Sequence, residues 1–432
     1  MYAHVRAVTL ALTLVAPASA LAQSSIFESG PYLQQLSSHA VVVRVETEGA
    51  EQLTLTVQPG NHRFAEDAPR PSLHSLAIDG LSPKTTYHYT VASNKGGKEE
   101  GAFTTAPADD DASDLHFVLF GDDRGGTATH ELVVKRIADE PVDFLLNTGD
   151  LVADGRIGSQ WENFFDIEDK LLREHCIFTA IGNHELVQEN GASYLRYFGT
   201  PEEQEKHAFY DTFRWGFLRV FVLNGEGSFL GEDRAWLERE LEKADTEPNL
   251  QWRIVLVHAG PFSSGLHGDS EKMHGAEIPK LLREHHVDFV LAGHDHIYER
   301  GASDGLRYIV SGGAGAPLYP IKHARSSARR VESAYHYVLF ELAKDHGKIT
   351  TKKLDGSILE EVGFTKSNLW NDDGPSFAAP AAPQDDAGAN GATDPSTPAG
   401  PAEDRSSGMG AYVVLGIGLA AVTAFVVTRR KK

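Results

Sequence analysis

The run Leu291-Ala292-Gly293-His294-Asp295-His296-Ile297-Tyr298-Glu299-Arg300 follows the mostly apolar Val287-Asp288-Phe289-Val290. It reads as the end of a buried strand that opens into a loop carrying two imidazoles. Residues two apart on a strand share a face, so His294 and His296 are expected to converge while Asp295 points elsewhere. Taken alone, the pair fits a metal site and an ordinary polar loop equally well.

Four other strand-like runs end in the same manner. Phe117-Val118-Leu119-Phe120 leads to Gly121-Asp122-Asp123-Arg124, and Phe144-Leu145-Leu146-Asn147 leads to Thr148-Gly149-Asp150. Ile177 to Ile181 leads to Gly182-Asn183-His184-Glu185, and Arg253-Ile254-Val255-Leu256-Val257 ends on His258. Ligands of open α/β sheets bind outside the carboxyl ends of the strands, so all five tips are expected to meet in one crevice. Two divalent cations held close together need a shared carboxylate flanked by neutral nitrogen or amide ligands. Asp122, Asp150, Asn183, His258, His294 and His296 supply that set.

Between these tips lie helical stretches at Thr129 to Asp139, Gln160 to Glu174, Asp233 to Lys243 and Ala276 to His286. Strands alternating with helices imply a mainly parallel, helix-covered sheet. Residues 207–226 read as an inserted pair of strands, and Tyr308 to Val310, Tyr337 to Glu341 and Ile349 to Leu354 add further β structure. The expected fold is therefore α/β, a two-sheet α/β sandwich over residues 115–364. Ahead of it, short β-rich runs separated by turn residues over 26–107 predict an all-β sandwich. It resembles a fibronectin type III or immunoglobulin-like module, with Tyr87 where such domains pin a corner. Ala106 to Ser113 is the expected linker. Trp236, Leu237 and Leu241 share one helical face and read as core.

The chain has 432 residues, a formal charge of -21, twenty histidines and one cysteine. An acidic chain lacks the basic surface that non-specific nucleic-acid binding needs, and one cysteine excludes both a multi-thiolate site and an intrachain disulfide. Cys176 opens an apolar strand and reads as an inert buried thiol. Residues 1–22, with Arg6, an apolar run from Ala7 to Val15 and small residues to Ala22, predict a secretory signal peptide. Residues 371–408 are rich in Pro, Ala, Gly and Asp and predict a flexible stalk. Residues 409–428 are apolar enough for a membrane helix, with the basic end 429–432 cytoplasmic and the body facing outward. The same segment fits a cleaved C-terminal sorting signal.

The ordered set Gly-Asp, Gly-Asp, Gly-Asn-His-Glu, Val-His and Gly-His-x-His resembles the calcineurin-like metallophosphoesterases. The preceding sandwich and the His-x-Tyr-Glu-Arg run make it similar to the purple acid phosphatase-like branch. The resemblance implies two metal ions, Fe, Mn or Zn, bridged by Asp150. Asp122 and His296 would hold the first ion; Asn183, His258 and His294 the second. His184 would contact phosphate or protonate the leaving oxygen. His267 matches a second substrate-side histidine, or is a loop histidine in solvent. Two departures stand out. Ala153 occupies the place of the tyrosine ligand that colours purple members, and Arg124 the place of a histidine ligand used by other metallophosphoesterases. The first ion is thus expected to have a thin shell and the protein to be colourless. Arg124 could clamp a phosphate oxygen, or pair with Asp123 or the site carboxylates. Gly312 to Pro317 reads as a turn near the site, and Tyr298, Glu299 and Arg300 as residues orienting the histidine loop. The implied activity is hydrolysis of a small phosphorylated substrate by an acid phosphatase-like phosphomonoesterase, with a metal-bridging hydroxide attacking phosphorus. A phosphodiesterase or nucleotide hydrolase on the same site, and a non-catalytic cell-surface binding module, are the alternatives.

Overall fold

Alternating apolar residues build the first part of the chain. The computed structural model describes residues 26–372 except residues 188, 189, 207 and 322. The expected signal peptide, the stalk beyond residue 372, the apolar segment 409–428 and the basic end lie outside them. Among the described residues no helix is long and apolar enough to cross a membrane. Strands β1 (Phe27–Gln34), β2 (Val41–Glu51), β3 (Leu53–Gln58), β4 (His62–Ala65), β5 (Arg70–Ile78), β6 (Thr86–Ser93) and β7 (Lys98–Thr104) form two antiparallel sheets, ordered β1-β2-β5 and β4-β3-β6-β7. Val41, Val43 and Val45 from one sheet and Leu53, Leu55, Val57, Tyr89 and Val91 from the other are buried in a shared core. The Tyr87 hydroxyl accepts a hydrogen bond from the Ser82 amide at 2.9 Å, the corner expected from the sequence.

The second part begins with β8 (Leu115–Phe120), α1 (Thr127–Ile137), β9 (Phe144–Asn147), α2 (Gly158–Leu172), β10 (Ile177–Thr179), α3 (Ala192–Phe198) and α4 (Pro201–Lys206). It continues through β11 (Asp211–Trp215), β12 (Leu218–Leu223), α5 (Glu232–Thr246), β13 (Trp252–Val257), α6 (Glu271–Gly275), α7 (Ile278–Glu284) and β14 (Phe289–Ala292). It closes with β15 (Tyr298–Ser303), β16 (Leu306–Ser311), β17 (Ala328–Glu332), β18 (His336–Leu342), β19 (His346–Lys353) and β20 (Ile358–Thr365). One sheet runs β10-β9-β8-β18-β19-β20 and the other β11-β12-β13-β14-β16-β15-β17.

Each sheet is only partly parallel. β8, β9 and β10 are parallel in the first and β12, β13, β14 and β16 in the second, while the remaining strands pair antiparallel. The strand pair expected as an insertion is instead part of the second sheet: β11 forms its edge, and β12 lies parallel to β13. The period of two explains why the central strands are continuously apolar. Phe117, Leu119, Ile254, Leu256, Phe289 and Leu291 point between the sheets. Val118 and Phe120 point outward under the α1 and α2 side, and Val255, Val257 and Val290 outward under α5 and α7. Leu237 and Leu241 of α5 are buried there, with Trp236 packed at the edge.

The N-terminal sandwich is fastened to the helices. The Tyr32 ring packs at a tilt on that of Phe165, 4.8 Å between centroids, and its hydroxyl donates to the Tyr197 carbonyl at 3.0 Å, while the buried Arg44 donates to the Gly199 carbonyl at 2.7 Å. Arg173, beyond α2, pairs with Glu99 of β7 at 2.7 Å. Cys176 is buried, and burial pushes its thiol up to about 12, so it is inert as expected.

His336, fully buried at the start of β18, sits behind the loop from Gly312 to Pro317. Its Nδ1–H donates to the Ala334 carbonyl at 2.8 Å and its Nε2 lies 3.1 Å from the Ser311 hydroxyl. Burial pushes this imidazole down to about 4. The unfolded chain therefore binds a proton that the folded one refuses between pH 6.5 and 4, so stability falls as pH falls through that window. The loss attributable to His336 is on the order of 3 kcal/mol. Urea denaturation at several pH values should show a slope steeper by about one proton in the wild type than in His336→Gln; equal slopes would mean that His336 charges freely in the folded protein.

Candidate metal centre

Five strand ends deliver the polar residues, and the backbone bends sharply as it does so. Asp122, Asp150 and His294 have φ of 58°, 57° and 69°, a left-handed conformation uncommon for non-glycine residues. Such strain gathers at functional sites. The β8 and β9 loops lock together, Asp122 N donating to the Gly149 carbonyl at 2.9 Å and Arg124 N to the Asp150 carbonyl at 3.2 Å. Two glycines are required by close approach. A Cβ on Gly182 would lie 2.1 Å from Asp150 Oδ1, and one on Gly293 would lie 2.4 Å from Asp122 Oδ2. The structure corrects one step of the sequence reading. β14 ends at Ala292, so His294 and His296 are brought together by a left-handed turn rather than by sharing a strand face.

In one half of the site, four acceptor atoms crowd together. The Nδ1–H of His258 donates to the Thr148 carbonyl at 2.9 Å, which turns the Nε2 lone pair inward. Around that Nε2 stand Asn183 Oδ1 at 3.1 Å, His294 Nδ1 at 3.2 Å and Asp150 Oδ1 at 3.3 Å. Such spacings suit neighbours in one coordination sphere with bonds of about 2.0–2.1 Å. Burial opposes a charge on His258, yet Asp150 and Asp122 outweigh it and push the imidazole up to about 10. Burial and His258 hold His294 well below the usual range. The cluster thus takes up one positive charge at neutral pH, which a proton or a cation can supply.

The other half is different. Asp122 Oδ2 accepts from His294 N at 3.0 Å, while its buried Oδ1 has no hydrogen-bond partner and lies 3.5 Å from His296 Nε2. His296 is oriented like His258, its Nδ1–H donating to the Pro317 carbonyl at 2.7 Å. Arg124 enters here: its Nε donates to Asp150 Oδ2 at 3.0 Å, and a terminal nitrogen lies 3.4 Å from His296 Nε2. Of the partners weighed for Arg124, a site carboxylate is therefore the one adopted. Asp123 turns the other way and accepts from the Asn147 amide at 2.6 Å.

The two remaining histidines differ in access. His184 is 4% exposed; its Nδ1–H donates to the Ala153 carbonyl at 2.6 Å, and its Nε2, without a hydrogen-bond partner, lies 3.8 Å from Asp150 Oδ2. His267 is exposed but not adrift. Its ring lies 4.2 Å from that of His294, and its Nε2 is 3.4 Å from the Tyr319 hydroxyl. Tyr319, which sequence reasoning did not single out, stacks on His296 at 4.0 Å.

A supporting layer fixes these groups. Glu185 accepts from the amides of Gly182, Asp150 and Val152 at 2.8, 3.0 and 3.1 Å. Asp295, between the two histidines, accepts from the amides of His267 and Gly268, and Glu299 from that of Ser264, so both hold the loop that carries His267. Tyr298 and Arg300 instead bind Glu360 of β20. The loop from Gly312 to Pro317 donates Ala314 N to the Gly121 carbonyl and Ala316 N to the Asp122 carbonyl, and so acts as a brace. Behind it, Asp123, His130 and Glu168 form a second buried cluster, with His130 Nε2 2.8 Å from Glu168 Oε1.

The partnerless Asp122 oxygen and the four converging acceptors fit divalent cations. Asp122, Asp150 and His258 each offer a ligand atom within 4.8 Å of the others. The calcineurin-like phosphoesterase family matches residues 112–298. Purple acid phosphatase 23 of Arabidopsis thaliana is 24% identical over 263 residues, covering 53% of this chain and 57% of that protein. Phosphoenolpyruvate phosphatase of Allium cepa is 25% identical over 268 residues, covering 58% and 54%. This chain thus spans little more than half the length of these relatives. The solved structure of purple acid phosphatase PPD1 from yellow lupin shares the fold, with a TM-score of 0.69, 18% identity and coverage of 78% of this chain and 74% of that one. With an all-β sandwich ahead of the two-sheet α/β sandwich and five strand ends meeting at one centre, the chain matches the calcineurin-like phosphoesterases over residues 112–298 and is similar to purple acid phosphatases in sequence and fold.

Proposed function

We propose that the chain is a binuclear metal-dependent phosphoester hydrolase that acts on small phosphomonoesters. The observation that carries this reading is the convergence of Asp150 Oδ1, Asn183 Oδ1, His258 Nε2 and His294 Nδ1, beside the buried Asp122 and His296. Bound divalent ions supply Lewis acidity to phosphoryl oxygens and lower the pKa of water. The protein supplies the rest. Asp150 spans both halves of the site, and the carbonyls of Thr148 and Pro317 keep His258 and His296 in the tautomer that presents Nε2. Arg124, whose side chain is 11% exposed, offers a fixed positive charge to a phosphate oxygen. As the ester P–O bond breaks, the leaving oxygen needs a proton. His267, exposed beside His294, is the better placed donor; the buried His184 acts on Asp150. The acidic surface disfavours nucleic acid as substrate, and we place the body outside the cytoplasm on the strength of the apolar segments at 7–15 and 409–428.

Asp150→Asn should lose metal and reduce p-nitrophenyl phosphate turnover by about 100-fold or more, since the amide carries no negative charge and puts a donor NH2, which cannot ligate a cation, in place of one oxygen; retention of both metal and activity would reject the assignment. Turnover of bis-p-nitrophenyl phosphate should be the slower of the two, and a diester preference would move the reading to a phosphodiesterase. If His267 protonates the leaving group, His267→Ala should slow phenyl phosphate about 10–100-fold and p-nitrophenyl phosphate far less, because the more acidic phenol leaves unaided. An equal loss on both substrates would assign His267 to binding.

A further inference from the structure

The two halves of the centre differ in where their positive charge comes from. Around His258 Nε2 stand Asn183 Oδ1, His294 Nδ1 and Asp150 Oδ1, the last also accepting from the His184 amide, and none of the groups facing Asp150 Oδ1 carries a permanent positive charge. Around Asp150 Oδ2 stands Arg124, with its Nε at 3.0 Å and a second nitrogen 3.4 Å from His296 Nε2. A guanidinium does not give up its proton in a protein, and it can only donate. Because the Nδ1–H of His296 is committed to the Pro317 carbonyl, its Nε2 lone pair faces the guanidinium. Arg124 therefore engages two of the three side chains that the first ion would need, leaving Asp122 Oδ1 as the uncontested one.

Charge makes the competition severe. Two unit charges about 4 Å apart repel by roughly 4 kcal/mol at an effective dielectric constant of 20, and a divalent ion doubles that. With two divalent ions and Arg124 facing Asp122 and Asp150, the centre carries an excess of about three positive charges. A phosphate dianion removes most of that excess, and the guanidinium fork suits its oxygens. On this ground, and resting on the hydrolase reading above, we infer that Arg124 makes binding of the first ion conditional on a phosphate group: ion and phosphate each raise the affinity for the other, and the second half holds its ion alone. By linkage the coupling is reciprocal. Assembly of the reactive pair is thereby confined to molecules that have a phosphoryl group in place.

The test is equilibrium dialysis of the metal-stripped protein against Mn(II), with and without inorganic phosphate, counting bound metal by mass spectrometry. The wild type should hold about one ion per chain without phosphate and about two with it, the weaker ion gaining about tenfold or more in affinity. Arg124→Gln and Arg124→His should bind both ions without phosphate, the histidine variant holding the first more tightly since it adds a ligand. Arg124→Lys keeps the charge and should keep the dependence. Melting temperatures of the three variants identify any that fails to fold, and the remaining ones still decide. Two ions held with similar affinity by the phosphate-free wild type would overturn the inference, as would an Arg124→Gln protein with undiminished phosphate dependence. A wild type that binds no ion under either condition would overturn the hydrolase reading itself, so the two failures are distinguishable.

Discussion

Asp122 and Asp150 place two carboxylates in the interior, at 0% and 1% exposure, where an uncompensated charge costs several kcal/mol. Much of the second part of the chain can be understood as the means of keeping them there. Asp150 is tied by the His184 amide at 3.0 Å on one oxygen and by Arg124 on the other, and Asp122 by the amide of His294. These bonds leave the pair short of positive charge, since the nearby imidazoles are aimed with lone pairs inward. The carboxylates thus create the demand that a cation meets, and a proton on His258 is the makeshift when none is bound.

Meeting that demand requires loops from both sheets to come within hydrogen-bond distance, and this is why the chain bends left-handed at Asp122, Asp150 and His294. A bend of that kind costs about 1–3 kcal/mol and persists only where the surroundings over-determine it. Here the surroundings are parallel strands buried on both faces, rigid to their tips, and a brace from Gly312 to Ala316 pressed on the Asp122 loop. His336 pins the brace in turn, its amide donating to the Gly313 carbonyl at 3.0 Å. Asp123, Asn147 and Gly149 carry the support backward toward α1 and α2, since Asn147 accepts from the Gly149 amide at 2.8 Å while donating to Asp123. Packing, strain and charge therefore belong to one arrangement.

How much of this is legible in the sequence follows from the range of the interactions. Strand tips ending in Asp, Asn and His are local patterns, and so is the corner made by Tyr87, five residues from its partner Ser82. The helices at 127–137, 158–172 and 232–246 fall within a few residues of their expected positions because apolar periodicity is local too. Tyr319 escaped notice because its ring acquires meaning only through His296 and His267, which lie on other loops. His130 and Glu168 look like ordinary helix residues until α1 and α2 pack and bring them to 2.8 Å. The pairing of β12 with β13 was invisible for the same reason: two apolar strands announce that they are strands, not which neighbour they take.

Arg124 shows where sequence and structure inform each other most. The sequence marks it as a cation in the place of a ligand, which leaves open whether it faces substrate, Asp123 or the site. The structure puts its guanidinium between Asp150 and His296, so it both stabilises the buried carboxylate and competes for the atoms a metal would use. A neutral residue there would leave Asp150 less well paired in the metal-free protein, whereas a histidine would favour permanent metal loading. The arginine does neither. It holds half of the centre in a compact, ion-paired state that the resting protein can tolerate, and a multiply charged anion is the species whose arrival changes the balance.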